Sequence, residues 1–146
     1  MKSIFIVVLI ALSTMVYGGK YSDPQPTFDK PREIFMKLNS SDVEKANHLL
    51  GTIYNLLKDY PAETLKVAVI TYGPGMRILL KSGDKRTKSR IESLMEYDVE
   101  FIGCRNTMAT MKWTQKDFLD DISYVQAGLT EVIERQVGGW IDATPY

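Results

Sequence analysis

The feature of this sequence that most constrains its fold is the segment LKVAVITYG, residues 65–73, in which nearly every side chain is apolar or β-branched. An apolar run of this length, without polar alternation, is typical of a strand that is buried on both faces. Such a strand requires covering layers above and below its sheet, as in parallel α/β proteins. The segment therefore predicts a central strand of a layered domain.

The rest of the chain alternates between strand-like and helix-like patterns. Ser41 and Glu44 form an S-x-x-E pattern that predicts the start of the first helix. Strands are predicted over residues 32–39, 65–73, 99–103 and 122–128, with a short final strand in the segment WIDATPY. Alternating strands and helices predict a compact layered α/β domain, with a mostly parallel sheet of about five strands flanked by helices.

The last predicted helix lies in the segment LTEVIERQVGG, which begins at residue 129. Its apolar residues recur with the spacing of one helix face, so we expect that face to pack on the core. The face consists of Leu129, Val132, Ile133 and Val137.

The N-terminus has the pattern of a secretory signal. Lys2 supplies a positive charge, an apolar run follows, and the small residues Val16 and Gly18 suit a signal-peptidase site. The apolar run is shorter than the roughly 20 residues that a membrane-spanning helix needs. We predict a signal peptide over residues 1–18, a flexible arm over 19–31 and an α/β domain over 32–146. The mature chain is expected to be periplasmic or secreted, with no stable membrane anchor after cleavage.

Charge and residue counts exclude several classes of function. Lys plus Arg and Asp plus Glu are balanced at 18 each, so nothing favours nucleic-acid binding. The chain has one histidine and one cysteine, which is too few for a typical metal site in one subunit. We predict no metal and no cofactor.

Cys104 is the residue with the clearest chemical potential. It follows a predicted strand and precedes a predicted helix, whose free N–H groups stabilise a thiolate. Arg105 adds a cation next in sequence, and Asn106 and Thr107 offer hydrogen-bond donors. A thiolate there could attack a sulfane sulfur and hold it as a persulfide. Alternatively, the thiol is a small, buried and inert apolar group.

Three strand ends carry candidate binding residues: residues 72–75, the residues after Cys104, and residues 126–128. The carboxyl ends of parallel strands meet at one edge of a sheet, where ligands bind. The Gly-Pro-Gly segment lacks the spacing of phosphate-binding or dinucleotide-binding loops, and it is also a common tight turn. The candidates are Tyr72, Gly73, Pro74, Gly75, Arg105, Asn106 and Gln126.

Three segments carry a resemblance to a known family. They are LKVAVITYGPGMRILLKSG, RIESLMEYDVEFIGCRNTMATMKW and YVQAGLTEVIERQVGGWIDATPY. Together with the first predicted strand and helix, they resemble the DsrE/DsrF-like (YchN-like) sulfur-relay family over about residues 32–146. The sequence departs from many relatives at Tyr72, which stands where they carry a histidine.

The resemblance implies a compact α/β fold and homo-oligomers, either trimers or hexamers, with sites near subunit contacts. It also implies that the cysteine at this strand end, Cys104, accepts sulfur as a persulfide from a donor protein or passes it to an acceptor. Our leading hypothesis is an exported, oligomeric carrier of sulfane sulfur. The competing hypothesis is a non-catalytic oligomeric binding or assembly module with an inert Cys104, and enzymatic activity is left open.

Overall fold

The computed structural model describes residues 20–146, over which five strands and four α-helices alternate. The strands are β1 (Arg32–Leu38), β2 (Leu65–Thr71), β3 (Glu100–Cys104), β4 (Ser123–Val125) and β5 (Ile141–Asp142). The helices are α1 (Val43–Asp59), α2 (Lys85–Met95), α3 (Arg105–Met111) and α4 (Gly128–Val137), with 3-10 helices at Gly73–Leu79 and Gln115–Asp117. The predicted signal peptide, residues 1–18, lies outside the described residues. Within residues 20–146, no helix is long and apolar enough to cross a membrane.

The five strands form one sheet in the order β4-β3-β2-β1-β5, and every neighbouring pair is parallel. The prediction of a layered α/β domain with about five strands is therefore confirmed. The apolar strand β2 lies at the centre of the sheet, and its residues 67–71 are all buried. Its place between β1 and β3 explains why it carries so little polar alternation.

The larger core lies on the face of the sheet that α1 and α2 cover. Side chains of α1 (Leu49, Ile53) and α2 (Ile91, Leu94) are fully buried there against β1, β2 and β3. The strands from β1 to β4 follow one another across the sheet, so right-handed connections place the intervening helices on this one face. The connection from β4 to β5 runs back across the sheet, which places α4 on the opposite face.

The smaller core lies beneath α4. It consists of Phe35, Ala68, Ile70, Ile102 and Val132, with Tyr72, Val125 and Trp140 packed against it.

The prediction for the face of α4 is correct for one residue and wrong for three. Val132 is buried, whereas Leu129, Ile133 and Val137 are 59%, 56% and 80% exposed. One helix turns only one narrow stripe toward a sheet, and Val132 occupies that stripe. The other apolar residues form a second stripe that faces outward.

The first helix begins one residue later than the Ser41 pattern predicts. Its N-cap is Asp42, whose Oδ1 accepts hydrogen bonds from the backbone N–H groups of Glu44 (2.8 Å) and Lys45 (3.1 Å). This carboxylate satisfies two amides that the first turn leaves free, and its negative charge is favourable at a helix N-terminus.

Residues 20–31, predicted as a flexible arm, have no helix or strand and contact the end of α1. The ring of Tyr21 stacks on that of Tyr60, with centroids 4.6 Å apart. The side chain of Arg32 donates to the backbone oxygens of Ser22 and Pro24, at 3.0 and 3.2 Å.

Candidate functional site

The candidate site lies where β2, β3 and β4 end side by side. Cys104 is the last residue of β3 rather than the residue after it, and it also serves as the N-cap of α3. In the sheet it pairs with Val125, the last residue of β4. The thiol is thus delivered to the carboxyl edge of the sheet, where parallel α/β proteins bind ligands.

The thiol of Cys104 is enclosed by backbone groups from two helix starts. Cys104 is 4% exposed. The backbone N–H of Gly128, the first residue of α4, donates to Sγ at 3.4 Å. The Sγ itself lies 3.9 Å from the backbone oxygen of Gln126, and the Cys104 N–H donates to the Sδ of Met76 at 3.3 Å.

Burial and hydrogen-bond donors act in opposite directions on the pKa of the Cys104 thiol. Burial raises the pKa of Cys104, but hydrogen bonds from Thr107, Gly128 and Asn106 together outweigh burial and hold the pKa below the ordinary cysteine value. Donors aimed at a sulfur stabilise the charged form, as expected where two helices begin. These donors therefore stabilise the thiolate form of a nearly buried cysteine relative to that of an ordinary one.

Gly128 can approach the thiol because it lacks a side chain. A Cβ on this residue would lie 2.9 Å from the Cβ of Tyr72 and 3.1 Å from its ring. Tyr72, predicted as a binding residue, is half-buried and packs on the start of α4. Tyr72 therefore supports the start of α4, where the Gly128 N–H donates to Cys104.

Thr107 connects the thiol to the Gly-Pro-Gly segment. Its Oγ1 accepts a hydrogen bond from the backbone N–H of Gly73 at 2.9 Å. Its hydroxyl and its backbone N–H also lower the pKa of the Cys104 thiol. One side chain thus links the segment that follows β2 to the surroundings of the sulfur.

Asn106 and Gln126, both predicted as binding residues, meet over the outer side of the site. The Gln126 amide donates to Oδ1 of Asn106 at 2.6 Å, and the Asn106 N–H donates to the Gln126 backbone oxygen at 3.0 Å. Both residues are exposed. We call this pair the Asn106–Gln126 bridge.

Arg105, the predicted cation beside Cys104, is exposed and lies over the ring of Tyr124. Its Cζ is 5.5 Å from the ring centroid. Besides burial, the groups that shift the pKa of the thiol are donors of Thr107, Gly128 and Asn106, and Arg105 is not among them.

The Gly-Pro-Gly segment divides between two environments. Gly75 is buried, and a Cβ there would lie 2.1 Å from the backbone oxygen of Leu38, so it packs against the end of β1. Gly73 and Pro74 instead line an open groove of about 380 Å³ beside α3. With Arg77 they form one side, and Thr107, Met111 and Trp113 lie on the other.

Two residues of the site, Met76 and Trp113, are not among those predicted from the sequence. Met76 follows the Gly-Pro-Gly segment, and nothing in the pattern shows that its sulfur accepts from the Cys104 N–H. The ring of Trp113 contacts Phe118, with centroids 5.7 Å apart, and also lies 5.5 Å from the Cζ of Arg77. Among residues 20–146, no group of three His, Cys, Asp or Glu side chains could hold a metal ion.

The fold and site together define a class: a parallel α/β domain that presents a single cysteine at the carboxyl edge of its sheet. The sequence profile of the DsrE/DsrF-like family matches residues 34–140. The chain therefore belongs to the DsrE/DsrF-like family, as its sequence predicts.

A solved structure supports the fold. The protein of unknown function MTH1491 from Methanobacterium thermoautotrophicum is similar, with a TM-score of 0.72 and 22% sequence identity. The match covers 78% of this chain and 99% of that one. No curated protein sequence matches this chain.

Proposed function

We propose that this protein carries sulfane sulfur as a persulfide on Cys104. Membership of the DsrE/DsrF-like family suggests a role in sulfur relay. The observation that carries the proposal is the Sγ of Cys104 at the starts of α3 and α4, where the Gly128 N–H donates to it at 3.4 Å. This arrangement supports a thiolate, which is the form of cysteine that attacks sulfur.

The loading step needs only a thiolate and a sulfane donor. The Cys104 thiolate attacks the outer sulfur of a donor R–S–SH, and a new Sγ–S bond forms as the donor S–S bond breaks. The donor leaves as the thiolate R–S⁻. It takes up the proton that the transferred sulfur carried, so it departs as R–SH and Cys104 is left as a persulfide anion. The N–H groups that stabilised the thiolate then face the persulfide.

Access to the sulfur follows from the exposed side of the site. Cys104 is buried, but the Asn106–Gln126 bridge beside it is exposed and is held by one side-chain and one backbone hydrogen bond. Exposed side chains change rotamer within nanoseconds, so the side-chain half of this bridge opens fast on the scale of sulfur transfer. We propose that donors reach Cys104 through it.

Intact mass measurement tests sulfur carriage. After treatment with polysulfide and removal of excess reagent, the wild-type chain should gain the mass of sulfur, and dithiothreitol should remove it. Cys104→Ser should gain nothing, because the chain has no other cysteine. Absence of the adduct from the wild type, or an equal adduct on Cys104→Ser, would refute the proposal.

Burial of Cys104 favours a second candidate function, a binding or assembly module with an inert thiol. At 4% exposure the sulfur could be a packing group only. This candidate predicts negligible alkylation of folded protein and normal alkylation after unfolding in urea.

We also propose that the protein is exported and forms homo-oligomers. The secretory pattern of residues 1–18 supports export to the periplasm or the exterior. The outward stripe of α4, formed by Leu129, Ile133 and Val137, supports self-association because it is apolar and repeats at one-turn spacing. Ile141 of the edge strand β5 is 50% exposed and adds a further apolar group. A second copy of the chain is the occupant we propose for the α4 stripe.

Ile133→Glu should convert the oligomer to a monomer without unfolding it. Ile133 is 56% exposed in the single chain, so its replacement should change the free energy of unfolding of the monomer by no more than about 0.5 kcal/mol. A buried interface, in contrast, would place the new carboxylate in an apolar contact. Light scattering coupled to size exclusion measures the mass, with Asn55→Glu on the exposed side of α1 as the control. Unchanged mass in Ile133→Glu would exclude the α4 stripe as the interface.

A further inference from the structure

The groove between the Gly73–Leu79 3-10 helix and α3 has the features of a small-ligand site. We call it the Arg77 groove; it is lined by Gly73, Pro74 and Arg77 on one side and by Thr107, Met111 and Trp113 on the other. Its volume of about 380 Å³ falls within the range of small-molecule sites. Proline, methionine and tryptophan side chains give it apolar walls suited to an aliphatic chain.

The charge of the groove is positive and uncompensated. None of its lining residues is acidic. Across the described part of the chain, Arg77 forms no ion pair with a carboxylate. Its guanidinium lies instead over the ring of Trp113, with Cζ 5.5 Å from the centroid, which leaves its N–H donors available to a ligand. The groove thus combines apolar walls with one free cation.

The groove ends within one side chain of the reactive sulfur. Thr107 lines it and also lowers the pKa of the Cys104 thiol. Asn106, half of the Asn106–Gln126 bridge, lines the same groove. A ligand seated in the groove therefore lies beside the route by which we propose that donors reach the thiol.

We propose that the Arg77 groove binds the organic tail of the sulfur donor, and that the donor is a low-molecular-weight persulfide bearing a carboxylate or sulfonate. This inference rests on the proposed function of Cys104. The anionic group pairs with Arg77 and the aliphatic part lies against Trp113 and Met111. The outer sulfur is then transferred to the Cys104 thiolate, and the donor departs as its thiol with the proton that the persulfide carried.

The charge preference of Cys104 tests the groove. Three methanethiosulfonates carry a neutral methyl, an anionic sulfonatoethyl or a cationic trimethylammonioethyl group; each transfers its thio group to the thiolate and releases methanesulfinate. Relative to the rates of the same reagents with a small free thiol, the wild type should favour the anionic over the cationic reagent. Arg77→Met, which keeps an aliphatic chain beside Trp113, should slow the anionic reagent about fivefold, as expected for loss of an exposed ion pair. It should leave the neutral reagent within about twofold.

Arg86→Met, which removes an exposed cation from α2, is the matched control and should leave all three rates unchanged. If both variants slowed the anionic reagent equally, the cause would be the net charge of the protein and not Arg77, which would overturn the proposal. Reaction without charge preference would also overturn it while leaving Cys104 a reactive thiol.

A binding measurement that needs no reactive thiol separates the groove from the carrier hypothesis. The chain has two tryptophans, so a nitrogen–proton correlation spectrum shows two indole signals, assigned with Trp140→Phe. In Cys104→Ser, propane-1-sulfonate should shift the Trp113 signal saturably, and Arg77→Met should abolish the shift. A Trp113 signal that does not move would refute anion binding in the Arg77 groove, even if Cys104 loads sulfur. A saturable shift would support binding in the groove, even if Cys104 is inert.

Discussion

Gly75→Ala should lower the free energy of unfolding by about 3 kcal/mol, the largest stability effect that we expect from a single methyl group in this protein. The added Cβ would lie 2.1 Å from the backbone oxygen of Leu38 and 2.6 Å from its carbonyl carbon. Both contacts are with main chain, which cannot rotate away, so the 3-10 helix must move off the end of β1. Urea denaturation followed by circular dichroism measures the loss.

Gly73→Ala is the matched control within the same Gly-Pro-Gly segment. Gly73 has φ of +53°, but a Cβ there would meet nothing within 4 Å. The only cost is the left-handed backbone, about 1 kcal/mol. Equal losses for the two variants would contradict the packing that we describe for Gly75.

Thr107→Val should slow the alkylation of Cys104 near neutral pH by about tenfold, the effect of removing a hydrogen bond to a charged group. The hydroxyl of Thr107 stabilises the thiolate, so its loss raises the thiol pKa and lowers the thiolate fraction. Valine has nearly the same shape, but it also leaves the Gly73 N–H without its acceptor. Iodoacetamide kinetics on the folded protein measure the change.

Thr107→Ser keeps the hydroxyl and should retain most of the wild-type rate. A slow Thr107→Ser variant would show that the methyl group, rather than the hydrogen bond, controls the thiol. Two equally fast variants would show that Thr107 does not act on Cys104.

The architecture could be predicted from the sequence because the signals were local and strong. The apolar run of β2 fixed a central strand, and its place in the sheet order follows from the parallel pairing of β1, β2 and β3. Cys104 could be placed at a strand end beside a helix start for the same reason. The strand β3 ends one residue later than predicted, because Cys104 is both its last residue and the N-cap of α3.

The environment of the thiol depended on contacts that are distant in sequence. The Gly128 N–H lies 24 residues from Cys104, and the Met76 sulfur lies 28 residues from it. Periodicity predicts which face of a helix is apolar, but it does not show whether that face meets the sheet or the outside. Leu129, Ile133 and Val137 were therefore assigned to the core, although only Val132 reaches it.

The start of α1 is a second feature that the sequence pattern predicts only to within one residue. The S-x-x-E pattern at Ser41 and the carboxylate of Asp42 compete for the same helix start, and one residue of shift separates them. In the structure the Asp42 carboxylate, with two amide donors, caps the helix. The Arg77 groove also needed the structure, since it forms only where the segment after β2 meets α3.

The most direct test of the central claim, that Cys104 is a poised thiolate, is its rate of alkylation by iodoacetamide as a function of pH in the folded wild-type chain. A thiol whose pKa is lowered is deprotonated at lower pH than an ordinary one, so the midpoint of the rise in rate should lie below that of an ordinary cysteine thiol. A midpoint at or above that of an ordinary cysteine thiol, or a rate that appears only when the protein unfolds, would contradict the account and leave Cys104 as a packing residue.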